Sequence, residues 1–188
     1  METNSFSKMC SKLFIRLIFL DVACFVLCAF GIAANSGNAI RILLQLCCII
    51  VTISFVYPVC HKQGDLDAPF IATGHRKDSN VKGLLAGIIG CSPYLVSAII
   101  LVISRIFGVL PAFMNYYKMI NSFFFPYLYS LMPTDYNVTE IPFSSFLLSL
   151  LIQLFIPIVC MFAYILGKHR FLFKEVVFYK KKETADRA

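Results

Sequence analysis

The sequence predicts an all-α integral membrane protein, a four-helix bundle with both termini in the cytoplasm. Three observations carry that expectation. Four apolar stretches, 13–34, 42–60, 84–103 and 143–167, each come near the ~20 helical residues that cross a ~30 Å hydrocarbon core. Hydrophobic residues make up 59% of the 188 and mean hydropathy is +0.79, more apolar surface than a soluble domain of this size can bury. Weaving the chain across four times puts all but Arg41, Arg105 and Lys118 of the 17 Lys and Arg on one side. The positive-inside rule makes that side cytoplasmic.

The first span, 13–34, follows Lys8, Lys12 and Arg16 and ends near Gly31-Ile32-Ala33, a pattern that also fits a cleaved signal segment. Its length and the interruption at Asp21 favour a retained helix. A turn at 35–41, rich in Asn, Ser and Gly, makes spans one and two antiparallel neighbours. The connection 61–83 is polar and cytoplasmic, with Lys62, Arg76, Lys77 and Lys82. Between spans three and four, about 111–132 is expected to be an amphipathic segment in the outer headgroup plane. Asn115, Lys118 and Asn121 recur every three residues there, and Tyr and Phe supply an interfacial belt in a chain without Trp. A fifth crossing at this point would move the basic tail outside. The tail, 168–188, places Lys174, Lys180, Lys181 and Lys182 where they meet anionic lipid headgroups. Residues 1–188 thus form a single membrane domain.

Small or polar residues recur on one face of each span: Asp21, Cys24, Cys28, Gly31 and Asn35; Gln45, Cys48 and Thr52; Gly83, Gly87, Gly90, Tyr94, Ser97 and Ser104; Ser145, Ser149, Gln153 and Pro157. Such stripes let helix backbones approach and give polar groups partners. None of the eight cysteines falls in an outer loop or a zinc-type spacing, so they read as small apolar residues.

Asp21 is the sharpest single residue. A carboxylate eight residues into a span costs a few kcal/mol unless it is protonated, hydrated or paired. Pro58, Pro93 and Pro157 free the carbonyls of Ser54, Ile89 and Gln153 in the same half of the bundle. With Tyr57, Ser92, Tyr94, Gln153 and Tyr164, Asp21 defines a candidate substrate or ion site opening to the cytoplasm. His61, Asp65, Asp67 and His75 are the one cluster of metal-ligand residue types, without a recognised spacing. No nucleotide-binding, hydrolase or metalloprotease motif occurs, so no catalytic residue and no cofactor is implied. The positive charge of +7 clusters beside the spans, which points to lipid rather than nucleic acid.

Two blocks carry a family likeness. Gly74-His75-Arg76-Lys77-Asp78-Ser79-Asn80-Val81-Lys82-Gly83, leading to Gly87 and Cys91-Ser92-Pro93-Tyr94-Leu95, resembles the middle of small uncharacterised four-span membrane proteins of Clostridia-type Gram-positive bacteria. Tyr164-Ile165-Leu166-Gly167-Lys168, with Val177-Phe178-Tyr179-Lys180-Lys181-Lys182, resembles their ending. Around 79–81 the chain lacks the charged insertion such proteins often have. The resemblance implies a multi-pass protein of a bacterial plasma membrane and carries no activity.

Function is therefore expected in one of three classes. A non-enzymatic accessory or scaffold subunit, in contact with lipid and with other membrane proteins or itself, comes first. A small transporter or channel subunit using Asp21 is the alternative. A membrane enzyme using His61, Asp65, Asp67 and His75 is the third.

Overall fold

The computed structural model describes residues 2–33, 38–131 and 137–169, and among these it is helical with no strand. The helices are α1 (Glu2–Ala33), α2 (Asn38–Ala72), α3 (Lys82–Gly90), α4 (Ser92–Phe107), α5 (Phe113–Ile120), α6 (Phe125–Leu131), α7 (Phe143–Leu151) and α8 (Phe155–Lys168). Short 3₁₀ turns lie at Ser122–Phe124, Val138–Glu140 and Ile152–Leu154. Asn35, Lys174 and Lys180–Lys182 fall outside the described residues.

Two helical runs, Ala39–Ala72 and Phe143–Lys168, are long and apolar enough to cross a membrane. A third is reached if α3 and α4, bent by 67° at their junction, count as one. α1 has 32 residues, about 48 Å of helix at 1.5 Å per residue. Lys12, Arg16 and Asp21 interrupt its apolar run.

The helices depart from the sequence-based boundaries for identifiable reasons. α2 does not stop at residue 60 but continues to Ala72, because Asp67 finds partners on α3 and α8, Gln63 bonds to it one turn earlier, and Gly64 packs directly on α8. The stretch 84–103 breaks at Cys91. Pro93 has no N–H, so the chain ends one helix at Gly90 and starts another with proline in its first turn. Gly108, at φ 66°, closes α4 through its N–H to Ser104 O at 2.9 Å. In the last run Pro157 removes the partner of the Gln153 carbonyl, and the chain tightens to 3₁₀ at Ile152–Leu154.

α1, α2, α3 and α8 form the main bundle, with α8 packed against both α2 and α3, and α1 against α2 and α3. Its core is built from Leu13, Leu17, Leu20, Val56, Ala86 and Ala163. Cys10, Cys24, Cys28, Cys48, Cys60, Cys91 and Cys160 are buried with them as free thiols, and Cys47 is exposed. Every residue of the α3–α4 stripe, Gly83, Gly87, Gly90, Tyr94, Ser97 and Ser104, is buried. A Cβ on Gly87 would lie 2.7 Å from the Pro157 Cα, so the two backbones are in contact there.

The segment 113–131 turns Lys118, Asn121 and Ser122 inside. Tyr117, Lys118, Asn121, Ser122, Phe123, Phe124 and Leu128 are buried, and the turn at 122–124 packs against α1 and α2. The period-three polar pattern that suggested a headgroup-facing surface instead turns Lys118 and Asn121 toward the bundle, while Asn115 is exposed.

Candidate functional site

Two polar centres are built into the bundle. The first surrounds Asp21 at the tip of the inserted segment. The Ser122 N–H donates to Asp21 Oδ1 at 3.0 Å. The Ser122 hydroxyl lies 2.5 Å from both Asp21 Oδ1 and the Asp21 carbonyl oxygen, and donates to one of them at a time. The Phe125 N–H donates to the Ser122 carbonyl within the 3₁₀ turn, and the Cys28 thiol donates to the same oxygen at 3.8 Å. Asp21 and Cys28 are seven residues apart, so the turn lies along about 10 Å of α1. Gln45 of α2 braces the other side, donating to Phe123 O at 3.2 Å and accepting from the Tyr127 N–H at 3.1 Å.

Asn121 extends this centre toward α4 and the broken final run. Its Nδ2 donates to Tyr117 O at 2.9 Å and Ser97 Oγ at 3.3 Å, while its Oδ1 accepts from Gln153 Nε2 at 2.8 Å. Gln153 also donates to the Tyr117 hydroxyl at 2.8 Å, which donates in turn to Ser149 O at 2.7 Å. Tyr94 donates to Leu17 O at 3.0 Å and meets Phe123 edge-on with centroids 5.1 Å apart. The chain breaks at 122–124 and 152–154 are thus joined through Asn121 and Gln153 in one hydrogen-bonded layer, which Ser97 ties to α4. Its side chains are engaged with each other, which fixes register in a low-dielectric interior.

The second centre is Asp67, 1% exposed, seven residues beyond the apolar stretch of α2. Its carboxylate accepts from Lys82 Nζ at 2.5 Å, the Tyr164 hydroxyl at 2.9 Å, Gln63 Nε2 at 2.9 Å, and Arg76. The Arg76 guanidinium stacks 4.9 Å from the Phe70 ring. Nearby, Lys168 of α8 donates to Asp78 at 2.7 Å and to Asn80, tying the α2–α3 loop to the end of α8. A cavity of about 370 Å³ opens beside Asp67, walled by Phe6, Ile71, Arg76, Lys82, Leu85 and Tyr164.

The six residues read from the sequence as one site fall into separate places. Asp21, Tyr94 and Gln153 belong to the first centre. Tyr164 belongs to the second, and Ser92 is exposed at the start of α4. Tyr57 stacks on His61 at 5.1 Å, and its buried hydroxyl has no hydrogen-bond partner among the described residues. His61, Asp65, Asp67 and His75 are not brought together: no group of three His, Cys, Asp or Glu among the described residues has the geometry to hold a metal ion. Asp67 is instead surrounded by cations. Ser122, Asn121 and Tyr117 in the first centre, and Arg76 and Lys82 as partners of Asp67, were not picked out by the sequence reading. Only the crowding of Arg76, Lys77 and Lys82 shortly after a lone Asp-x-Asp offered a signal for the second pair.

Comparison of the chain with protein-family models, curated proteins and solved structures finds no match.

Proposed function

We propose that this is a multi-pass protein of a bacterial plasma membrane, both termini cytoplasmic, acting as a non-enzymatic scaffold or accessory subunit. One observation carries the reading: the polar side chains around Asp21 and Asp67 are engaged in holding the bundle's own segments, while large apolar side chains cover the outside. Phe19, Ile106, Phe107 and Phe143 are each at least 68% exposed, a surface for acyl chains and for other membrane proteins or a second copy. α1, α2, the bent α3–α4 pair and α7–α8 would supply four crossings, with 113–131 as a re-entrant hairpin buried in protein rather than in lipid. The basic end around Asp67 would face the cytoplasm.

Purification in mild detergent with mass measurement of the intact particle tests this. A fixed-stoichiometry assembly, with itself or another membrane protein, supports the scaffold reading. A monomer that moves solute after reconstitution overturns it. Labelling with membrane-impermeant amine reagents tests the orientation: Lys62 and Lys77 should react only from the cytoplasmic side.

Transport remains the second reading, because Asp21 is held by the chain break at 122–124, which Asn121 links to the break at 152–154, and discontinuous helices form transporter sites. The two readings differ at Asp21→Asn. In a scaffold the amide oxygen still accepts from the Ser122 N–H, so assembly should survive with about 1 kcal/mol lost or less. In a transporter, flux should collapse while assembly persists. Asp21→Ala strands the Ser122 N–H, while the Ser122 hydroxyl keeps the Asp21 backbone carbonyl as its acceptor, and should cost about 2 kcal/mol, read from thermal unfolding.

A further inference from the structure

A second cavity, of about 320 Å³, lies between α1 and α2 and is lined by Lys8, Met9, Lys12, Arg16, Pro58, Val59, Lys62, Gln63 and Leu66. Four of these residues are cations and none is an anion. Lys8, Lys12 and Arg16 recur every four residues, so they share one face of α1, and Lys62 faces them from α2. Arg16 is held across the groove by its donation to Phe55 O at 3.0 Å. Lys8, Lys12 and Lys62 have no anionic partner among the described residues, in contrast to Lys82 and Lys168. Four like charges around one groove repel each other, and an anion seated among them relieves that cost. Met9, Val59 and Leu66 give the same groove an apolar floor.

We infer that this groove binds a phosphate group, with an anionic phospholipid as the source the setting favours. Arginine and lysine donors match phosphate oxygens, and the apolar floor accommodates the start of an acyl chain. Basic grooves between helices at a cytoplasmic membrane edge are suited to this chemistry. The phosphate chemistry goes beyond the scaffold reading and does not depend on it. Only the lipid source rests on the membrane assignment.

The test uses the full-length protein in three settings: phosphatidylcholine nanodiscs, nanodiscs mixed with phosphatidylglycerol, and phosphatidylcholine nanodiscs with millimolar inorganic phosphate. Binding is read by thermal shift and by intact-mass detection of retained lipid. Stabilisation by phosphatidylglycerol alone identifies a lipid headgroup, and stabilisation by inorganic phosphate as well identifies a free anion. Either supports a phosphate-binding groove if Lys8→Gln/Lys12→Gln weakens it at least tenfold, and Lys62→Gln weakens it independently from α2. Lys77→Gln, an exposed cation outside this groove, should leave it unchanged. The inference is overturned if neither ligand stabilises the wild type, or if Lys77→Gln weakens binding as much as the groove variants do.

Discussion

Alanine at Gly167 is expected to force α2 and α8 apart and to destabilise the fold by about 3 kcal/mol or more. A Cβ there would overlap the His61 carbonyl oxygen, with the His61 carbonyl carbon at 2.8 Å and its Cα at 2.9 Å. All three are backbone atoms of a packed helix, so no side chain can rotate out of the way. Gly64 is the reciprocal position: its added Cβ would overlap the Tyr164 carbonyl and lie 2.7 Å from the Lys168 N. The two glycines mark one crossing read from both sides. Gly64→Ala should therefore match Gly167→Ala, and the double variant should lose less than the sum, because one separation of the helices accommodates both methyl groups. Gly74→Ala is the control. It sits at φ 73° with open space around it, so it should cost about 1 kcal/mol of backbone strain and leave the crossing intact. Thermal unfolding in one detergent compares the three. Cross-linking between cysteines placed on α2 and α8 then tests whether the loss at Gly167 comes from separation.

Glycine-mediated helix contacts were only half legible in the sequence. Gly83, Gly87 and Gly90 recur at helical spacing within an apolar stretch, and the buried face they form follows from that spacing. Gly64 lies among polar residues in what reads as a loop, and nothing local says that α2 carries on through it. The helix persists because Asp67 bonds to Lys82 of α3 and Tyr164 of α8, a tertiary fact. The inserted segment shows the same limit. Helical periodicity in 113–131 exposes a polar face, but periodicity does not distinguish a face turned to water from one turned to Ser97 and Gln153. Asp21 was readable as a residue in need of a partner. That the partner is Ser122, 101 positions along the chain, was not. Asp67 was readable as a chemically active carboxylate but assigned to the wrong company, since Asp-x-Asp beside two histidines looks like the start of a metal site. Charge decides the outcome: Arg76 and Lys82 arrive nine and fifteen residues later and occupy its oxygens.

The carboxylate of Asp67 is also where a single substitution should do comparable damage. Asp67→Ala leaves Arg76 and Lys82, only 16% and 21% exposed, beside each other without their anion, and leaves the Tyr164 hydroxyl without its acceptor. Removing one partner of a buried pair typically costs about 3–5 kcal/mol, because the remaining charge is neither solvated nor matched. Asp67→Asn keeps the shape and one acceptor oxygen but loses the charge, so it should fall between wild type and alanine. Pairing Asp67→Asn with Lys82→Met is the informative step. The double variant should recover part of the loss, since it removes the stranded cation together with the anion. The damage should also be local. The α2–α3 loop, held to α8 by Lys168 on Asp78, should gain amide exchange in Asp67→Ala, while the Asp21 layer should keep its protection. Equal loss of protection in both layers would mean that the two centres are one cooperative unit. The hydrogen bonds argue against that: Gln63, Lys82 and Tyr164 converge on Asp67, and Asp21, Ser122, Asn121 and Gln153 are joined to one another along a different part of the bundle.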